Sequence, residues 1–444
     1  MQDSDEGLRR EIGFFGSAML VLNGIVGASI FALPGKLLTE FGAFSPWLIP
    51  LFGLLVFLIA IPLSEVASYY EKTGGPVAYT REAFGPFVAF QTGWAYYIAR
   101  LTAFAANSTV FVAYAASIWP PLGEGAPRAA VIVILTFLIT AINIIGVKRA
   151  AVVLDAVSVL KAAPLLILAL VGVALYGFRG GEAIALPQFS EVERASLLIL
   201  YAFIGFETSL VIGGETRDAK RTIPRALLAS LGATIIFYFI VQFGYASAMA
   251  GETPDKAPLV AFGAKLIGPA GAVLMIVAAL FSVFGNLMAS MASSPRVAFT
   301  LARDGELPAW FGAVSSRFAT PANSIAFLGA AACILALTGS FAFLAVVSTL
   351  ARLFVYLGCL GALPVIRKAR KAPAREGASR ITAPLVLAGG LIFCVWAIFQ
   401  STAQSWRLFG ALLLVGSALY AFERYVMKPA RRATNKDAAD TNSP

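Results

Sequence analysis

Histidine is absent from the chain, so no imidazole can relay a proton or hold a metal. Charge is scarce: 13% of the residues are Asp, Glu, Lys or Arg, against roughly 25% in a soluble domain. The three cysteines, Cys333, Cys359 and Cys394, lie in apolar runs. They read as small core residues and supply neither a disulfide framework nor a metal site. With no cysteine in a loop, no disulfide-linked partner subunit is expected. No Gly-x-x-x-x-Gly-Lys-[Ser/Thr] stretch occurs, which excludes a self-contained ATP-driven pump. Without histidine, paired cysteines or clustered acids, neither an enzyme's catalytic centre nor a cofactor is expected.

What is present is apolar. Of 444 residues, 59% are hydrophobic, and runs of about 20 apolar residues recur along almost the whole chain. A soluble enzyme is excluded and an all-α polytopic membrane protein predicted. Twelve spans are expected near 13–36, 44–70, 86–117, 128–146, 151–176, 193–216, 223–250, 269–301, 321–338, 342–366, 382–401 and 405–427. The amphipathic stretch 256–266 is expected to lie as a lid on the outer face.

The net charge of +10 does not point to nucleic acid. Lys and Arg concentrate in alternate loops, at Arg9-Arg10, Lys72 and Arg81, Lys148-Arg149, Arg217 to Arg225, Arg303 and Arg317, Arg367 to Arg380, and Arg424 to Lys436. Loops 36–46, 118–128, 177–194, 250–257, 337–341 and 400–407 are poor in them. The positive-inside rule puts the basic set and both termini in the cytoplasm, consistent with an even number of spans. The bilayer is then the expected partner, and a bacterial inner membrane the expected location.

Two apolar runs are broken at their midpoints. One reads Gly24-Ile25-Val26-Gly27-Ala28-Ser29-Ile30-Phe31, the other Tyr201-Ala202-Phe203-Ile204-Gly205-Phe206-Glu207. A helix broken at bilayer depth leaves peptide groups that only protein, water or ligand can satisfy. Breaks at matching positions in two halves point to a transporter with inverted repeats. Spans 1 and 6 start on opposite sides, so the expectation is a 5+5 inverted core. It comprises a tail at 1–12, a core at 13–367 (repeats 13–176 and 193–367), an added pair at 382–427 and a tail at 428–444. Free N–H groups near Ser29 suit a carboxylate. Free carbonyls near Ile25 and at Tyr201 to Ile204 suit an ammonium, which in an α-amino acid lies about 2.5 Å away across one carbon.

From about residue 10 to 370 the chain resembles the amino acid–polyamine–organocation (APC) superfamily of transporters. The resemblance rests on motifs in the expected order. They are Gly27-Ala28-Ser29-Ile30-Phe31 with Pro34; Glu65, Gly74-Gly75-Pro76, Tyr79, Gly85 and Gly93-Trp94; Gly146 with Lys148; Tyr201 to Glu207, Gly214-Glu215 and Arg221 to Arg225; and Arg296, Arg303-Asp304-Gly305 with Pro308. It implies a LeuT-like 5+5 repeat with broken helices 1 and 6, and sodium-independent alternating-access transport of amino acids. It also implies carboxylate contacts at Ala28, Ser29 and Ile30 beside Gly27, and ammonium contacts at the carbonyls of Ile25, Tyr201 and Ile204. The hydroxyl of a Gly-Ser-Gly pattern common in relatives is displaced here to Ser29. Tyr201 matches an aromatic gate, and Phe206 is a further candidate to contact the substrate.

Ionisable residues at bilayer depth are functional candidates. The resemblance places Lys161 where sodium-coupled relatives hold sodium, which suggests a resident ammonium and proton coupling. Glu207 follows the second break and is a candidate for stabilising it, binding a proton or facing a cationic substrate. Arg100 and Arg352 are candidates to pair with Glu207, a gate or an anionic group. Glu65 and Asp155 are expected to build an inner gate with Arg296 and Arg303. Asn286 and Ser290, four apart on one helix face, would line a small, weakly polar pocket for a neutral L-amino acid. Import with protons, exchange, export, and polyamine or cationic antiport remain alternatives, and a channel or sensor is the rival class.

Overall fold

The computed structural model describes residues 12–71, 74–146, 150–177, 185–252, 256–373 and 375–427, with side chains for all but 150–162, 211, 212 and 214. Among them are helices and one isolated parallel bridge, Ile12↔Thr216. The helices in chain order are α1 (Phe14–Ile25), α2 (Ser29–Phe41), α3 (Ser45–Ala67), α4 (Gly75–Phe84), α5 (Pro86–Ala116), α6 (Gly125–Ile145), α7 (Ala150–Tyr176) and α8 (Phe189–Tyr201). They continue as α9 (Ala219–Ala248), α10 (Pro258–Ile267), α11 (Pro269–Ser293), α12 (Pro295–Arg303), α13 (Ala322–Thr338), α14 (Phe341–Ala369), α15 (Ser379–Phe399) and α16 (Ala403–Phe422).

Eight helical stretches are long and apolar enough to cross a bilayer, and four shorter apolar helices accompany them among the described residues. α5 and α14 form the centre. They pack on each other, and α14 also meets α3, α8, α15 and α16. α9 packs against α1, α3 and α7. Outward faces of α6, α15 and α16 are greasy: Phe137 is 72% exposed, Phe399 76% and Leu414 71%. Apolar surface of that extent is what lipid-facing helices present. The chain is a multi-pass membrane protein.

The eighth apolar run, expected as one span over 269–301, is one apolar stretch, Pro269–Arg303, interrupted by the single residue Ser294 between α11 and α12. Pro295 has no N–H to continue the ladder, and its ring disfavours the preceding turn. The second broken run also departs from expectation. After α8 the chain resumes as a 3₁₀ segment, Phe206–Glu215, with no α-helix. α10, the expected lid, packs chiefly on α11 and also touches α2.

Candidate functional site

The first break is three residues long. α1 stops at Ile25 and α2 starts at Ser29, with Ala28 as a helix cap whose side chain bonds nothing. Helix starts leave their first amides unsatisfied. Here the N–H groups of Ala28, Ser29 and Ile30 meet no acceptor among the described residues, while Phe31 and Ala32 already donate to the Ala28 carbonyl at 3.1 Å. The Ile25 carbonyl is engaged. It accepts the Gly27 N–H at 2.9 Å and the Tyr238 hydroxyl at 3.0 Å, which uses both lone pairs. The Tyr238 oxygen also lies 3.4 Å from Ser29 Oγ. An ammonium expected at Ile25 therefore competes with a tyrosine of α9.

At the second break, α8 tightens into single turns. The N–H groups of Ala202, Phe203 and Ile204 donate to Ile199, Leu200 and Tyr201. Gly205 then adopts φ +115, a conformation closed to most L-residues. Its N–H donates to Glu207 Oε2 at 3.0 Å, and Thr208 Oγ1 donates to its carbonyl. The Ile204 carbonyl meets no donor among the described residues. The two breaks touch: a Cβ on Gly205 would collide with the Gly24 carbonyl, and a Cβ on Gly24 with the Gly205 carbonyl.

A polar strap crosses beside them. Tyr201 donates to Asn107 Oδ1 at 2.9 Å, and Asn107 Nδ2 donates to Asn286 Oδ1 at 2.8 Å. Asn286 in turn packs on Gly27, where an added Cβ would lie 3.0 Å from Nδ2. Tyr201, Asn286 and Gly27 thus converge as expected neighbours, joined by Asn107 of α5, which sequence reasoning missed. Its one signal was an amide midway along an apolar run. Tyr238 gave less, sitting in Phe237-Tyr238-Phe239 like any aromatic.

Ser290 lies one turn further along and belongs to another group. Its Oγ is 3.3 Å from Ser294 Oγ, which accepts from Arg100 Nε at 3.0 Å. Arg100 Nη2 donates to Ser293 Oγ at 2.5 Å. Of the two arginines weighed as partners for Glu207, Arg352 takes the place and Arg100 does not. Arg352 Nε donates to Glu207 Oε1 at 2.8 Å, and the Tyr356 hydroxyl to Oε2 at 2.8 Å. Arg352 Nη1 donates to Ser348 Oγ at 2.6 Å. The paired side chains are 3% and 0% exposed. Phe206 stacks on Tyr356 with ring centres 5.2 Å apart. Lys161 is a residue of α7, but its side chain lies outside the described residues, as does that of Asp155.

Both breaks are shut off from solvent. Ser29 is 3% exposed and Tyr201 6%. At the basic end of the bundle the expected gate uses other partners. Glu65 pairs with Arg367 and Arg375, whereas Arg296 donates to the Ala292 carbonyl in the last turn of α11. The reason is packing: α14 lies against α3, while α12 lies against α5. Arg81 holds Glu306 at 2.7 Å and Asp304 at 3.2 Å, and Arg370 holds Glu82 at 2.8 Å. The Arg370 guanidinium bonded to Glu82 keeps its carboxyl below the usual carboxylate range. Burial, then the bond to Glu82, pushes the Tyr70 hydroxyl up. Ile12 closes the same end, donating to the Glu215 carbonyl at 3.0 Å and accepting the Arg217 N–H at 2.8 Å. Among the described residues no cluster of acids, cysteines or histidines could hold a metal.

Comparison with known proteins gives the chain's relatives. The family described as "Amino acid permease" matches residues 12–418. An uncharacterized transporter of Mycobacterium tuberculosis (strain ATCC 25618 / H37Rv) is 28% identical, covering 99% of this chain and 96% of its own. The serine/threonine exchanger SteT of Bacillus subtilis (strain 168) is 26% identical, covering 95% and 98%. A methylthioribose transporter of the same strain is 25% identical over 94% of each chain.

Proposed function

The chain belongs to the amino acid permease family, and from that membership we propose that it carries a small neutral L-amino acid across the bacterial inner membrane by alternating access. The observation that carries the reading is the row of unengaged amides at Ala28, Ser29 and Ile30, together with the unengaged Ile204 carbonyl of a second break that touches the first at Gly24 and Gly205. The amides hold the substrate carboxylate at the positive end of α2. The ammonium goes to the Ile204 carbonyl and the remaining lone pair of Tyr201, and to Ile25 when Tyr238 withdraws. Asn286, Asn107 and Phe206 border the substrate side chain. Tyr201 closes over it.

Twelve spans in a 5+5 inverted repeat, with both termini cytoplasmic, form the scaffold in this reading. A recurring packing pattern supports it. α5 lies on α14 as α11 lies on α7, and α14 lies on α3 as α7 lies on α9. Each pair converts to the other by a shift of five spans. Coupling is to protons through Lys161, without sodium. Exchange is the second reading, favoured by the exchanger among the relatives.

Purified protein in proteoliposomes tests this. Uptake of labelled serine, threonine, alanine or leucine should be saturable, accelerated by internal amino acid, and intact when choline replaces sodium. An imposed pH gradient that drives uptake without internal substrate selects proton coupling; a strict need for internal substrate selects exchange. Ser29→Trp should block binding. A panel in which methylthioribose alone is carried, or normal uptake by Ser29→Trp, would overturn the assignment.

A further inference from the structure

A groove of about 380 Å³ lies between α14 and α15 at the basic end of the bundle. Leu363 and Pro364 form one wall and Leu387 and Leu391 the other, with Arg367 and Arg375 at its mouth. Neighbouring residues of α15 face outward: Leu385 is 64% exposed and Ile392 69%. The groove therefore opens on the surface that meets lipid.

The mouth carries surplus positive charge. One carboxylate, Glu65, serves two guanidiniums. Arg375 spends a single nitrogen on it, Nη2 at 2.9 and 2.7 Å from the two oxygens. Its Nε and Nη1 donate to no other described residue, and its side chain is 18% exposed. Arg367 is more fully used, on Glu65, the Tyr69 hydroxyl and the Pro373 carbonyl. From 367 to 380 the chain has six basic residues against one acidic, Glu376.

We propose that this groove binds an anionic phospholipid from the leaflet at the basic end, which is the inner leaflet in the orientation proposed above. An apolar channel beside free N–H donors matches both halves of such a molecule. The phosphate lies on Arg375, one of whose remaining N–H donors faces it with a charge-assisted bond. An acyl chain runs between Leu363 and Leu391. Basic pockets between membrane helices on the cytoplasmic side are suited to acidic headgroups. A free phosphate would leave the apolar walls unused, and a zwitterionic lipid would not match the surplus charge.

The test is native mass spectrometry of the full-length protein titrated with dioleoyl phosphatidylglycerol, dioleoyl phosphatidylcholine or glycerol phosphate. This readout does not depend on transport, so it can fail while the transport reading stands, and the reverse. Phosphatidylglycerol should be retained in preference to phosphatidylcholine. Arg375→Gln should weaken retention about tenfold, the scale of one charge-assisted contact. Glu65 keeps Arg367 in that variant. Ala388→Phe fills the groove between the walls and should weaken retention with both guanidiniums in place. Equal retention of the two lipids, wild-type retention by both variants, or displacement of lipid by glycerol phosphate alone would overturn the proposal.

Discussion

Gly205→Ala is the sharpest perturbation of the paired breaks. Two costs add at this position. At φ +115 an L-residue lies beyond the left-handed well, where the backbone penalty is already about 1–2 kcal/mol. The new methyl also meets the Gly24 carbonyl and the Ile25 nitrogen, which are backbone atoms and cannot rotate away. Overpacking of that kind costs about 1–3 kcal/mol. Alanine in place of glycine returns about 0.5 kcal/mol through the unfolded chain, so the net loss is about 3 kcal/mol. Gly42→Ala is the control: φ is +50 and nothing lies within 4 Å of its added methyl. With ψ at −133 it too lies outside the left-handed well, so it bears backbone strain, about 1–3 kcal/mol, without the collision. Thermal unfolding of the two variants in detergent therefore isolates the backbone contact, and Gly205→Ala should melt several degrees below Gly42→Ala. Serine uptake in proteoliposomes should be lost in the first and kept in the second. Identical melting curves and equal uptake would refute the claim that the two interrupted segments meet backbone to backbone.

The buried pair gives a second test. Glu207→Gln or Arg352→Gln alone strands a charge and should cost about 3–5 kcal/mol, while the double variant should lose less than the two singles summed; strict additivity in a double-mutant cycle of melting temperatures would contradict this. Lys161→Ala should stop or uncouple transport in a protein that elutes as the wild type does, and an unchanged pH profile of uptake would remove its coupling role. Glu82 is held down by Arg370, so the stability it adds is present above the ordinary glutamate range and disappears as pH falls through the lowered value. The gap in melting temperature between wild type and Glu82→Gln should accordingly shrink in acid; a gap that widens would show the sign to be wrong.

Interruptions at 26–28 and 202–205 were legible because glycine and a carboxylate are conspicuous in apolar sequence. Helix boundaries elsewhere fell close to the apolar runs, since hydropathy reports immersion directly. The interruption at Ser294 was not anticipated although Pro295 was in view, yet it stays within one apolar stretch, Pro269–Arg303, as a proline inside a membrane helix often does. Asn107 and Tyr238 were missed for another reason. Their importance lies in which neighbour they face, and local pattern says nothing about that across separations of 179 and 213 residues. Glu65 shows the same limit. Its charge and end of the span were readable, but its choice of Arg367 and Arg375 over Arg296 depends on which helix ends come together.

The link between Ile12 and residues 215–217 has a mechanical consequence. It rivets the foot of α1 to the foot of the other interrupted unit, and the Gly24–Gly205 contact rivets them again higher up. Two beams fastened twice have no independent pivot and must rock as one strut. Tension on the chain ahead of Ile12 is delivered straight to that strut. A bulky fusion placed there should throttle turnover, whereas the same cargo hung beyond Met427 should leave it running.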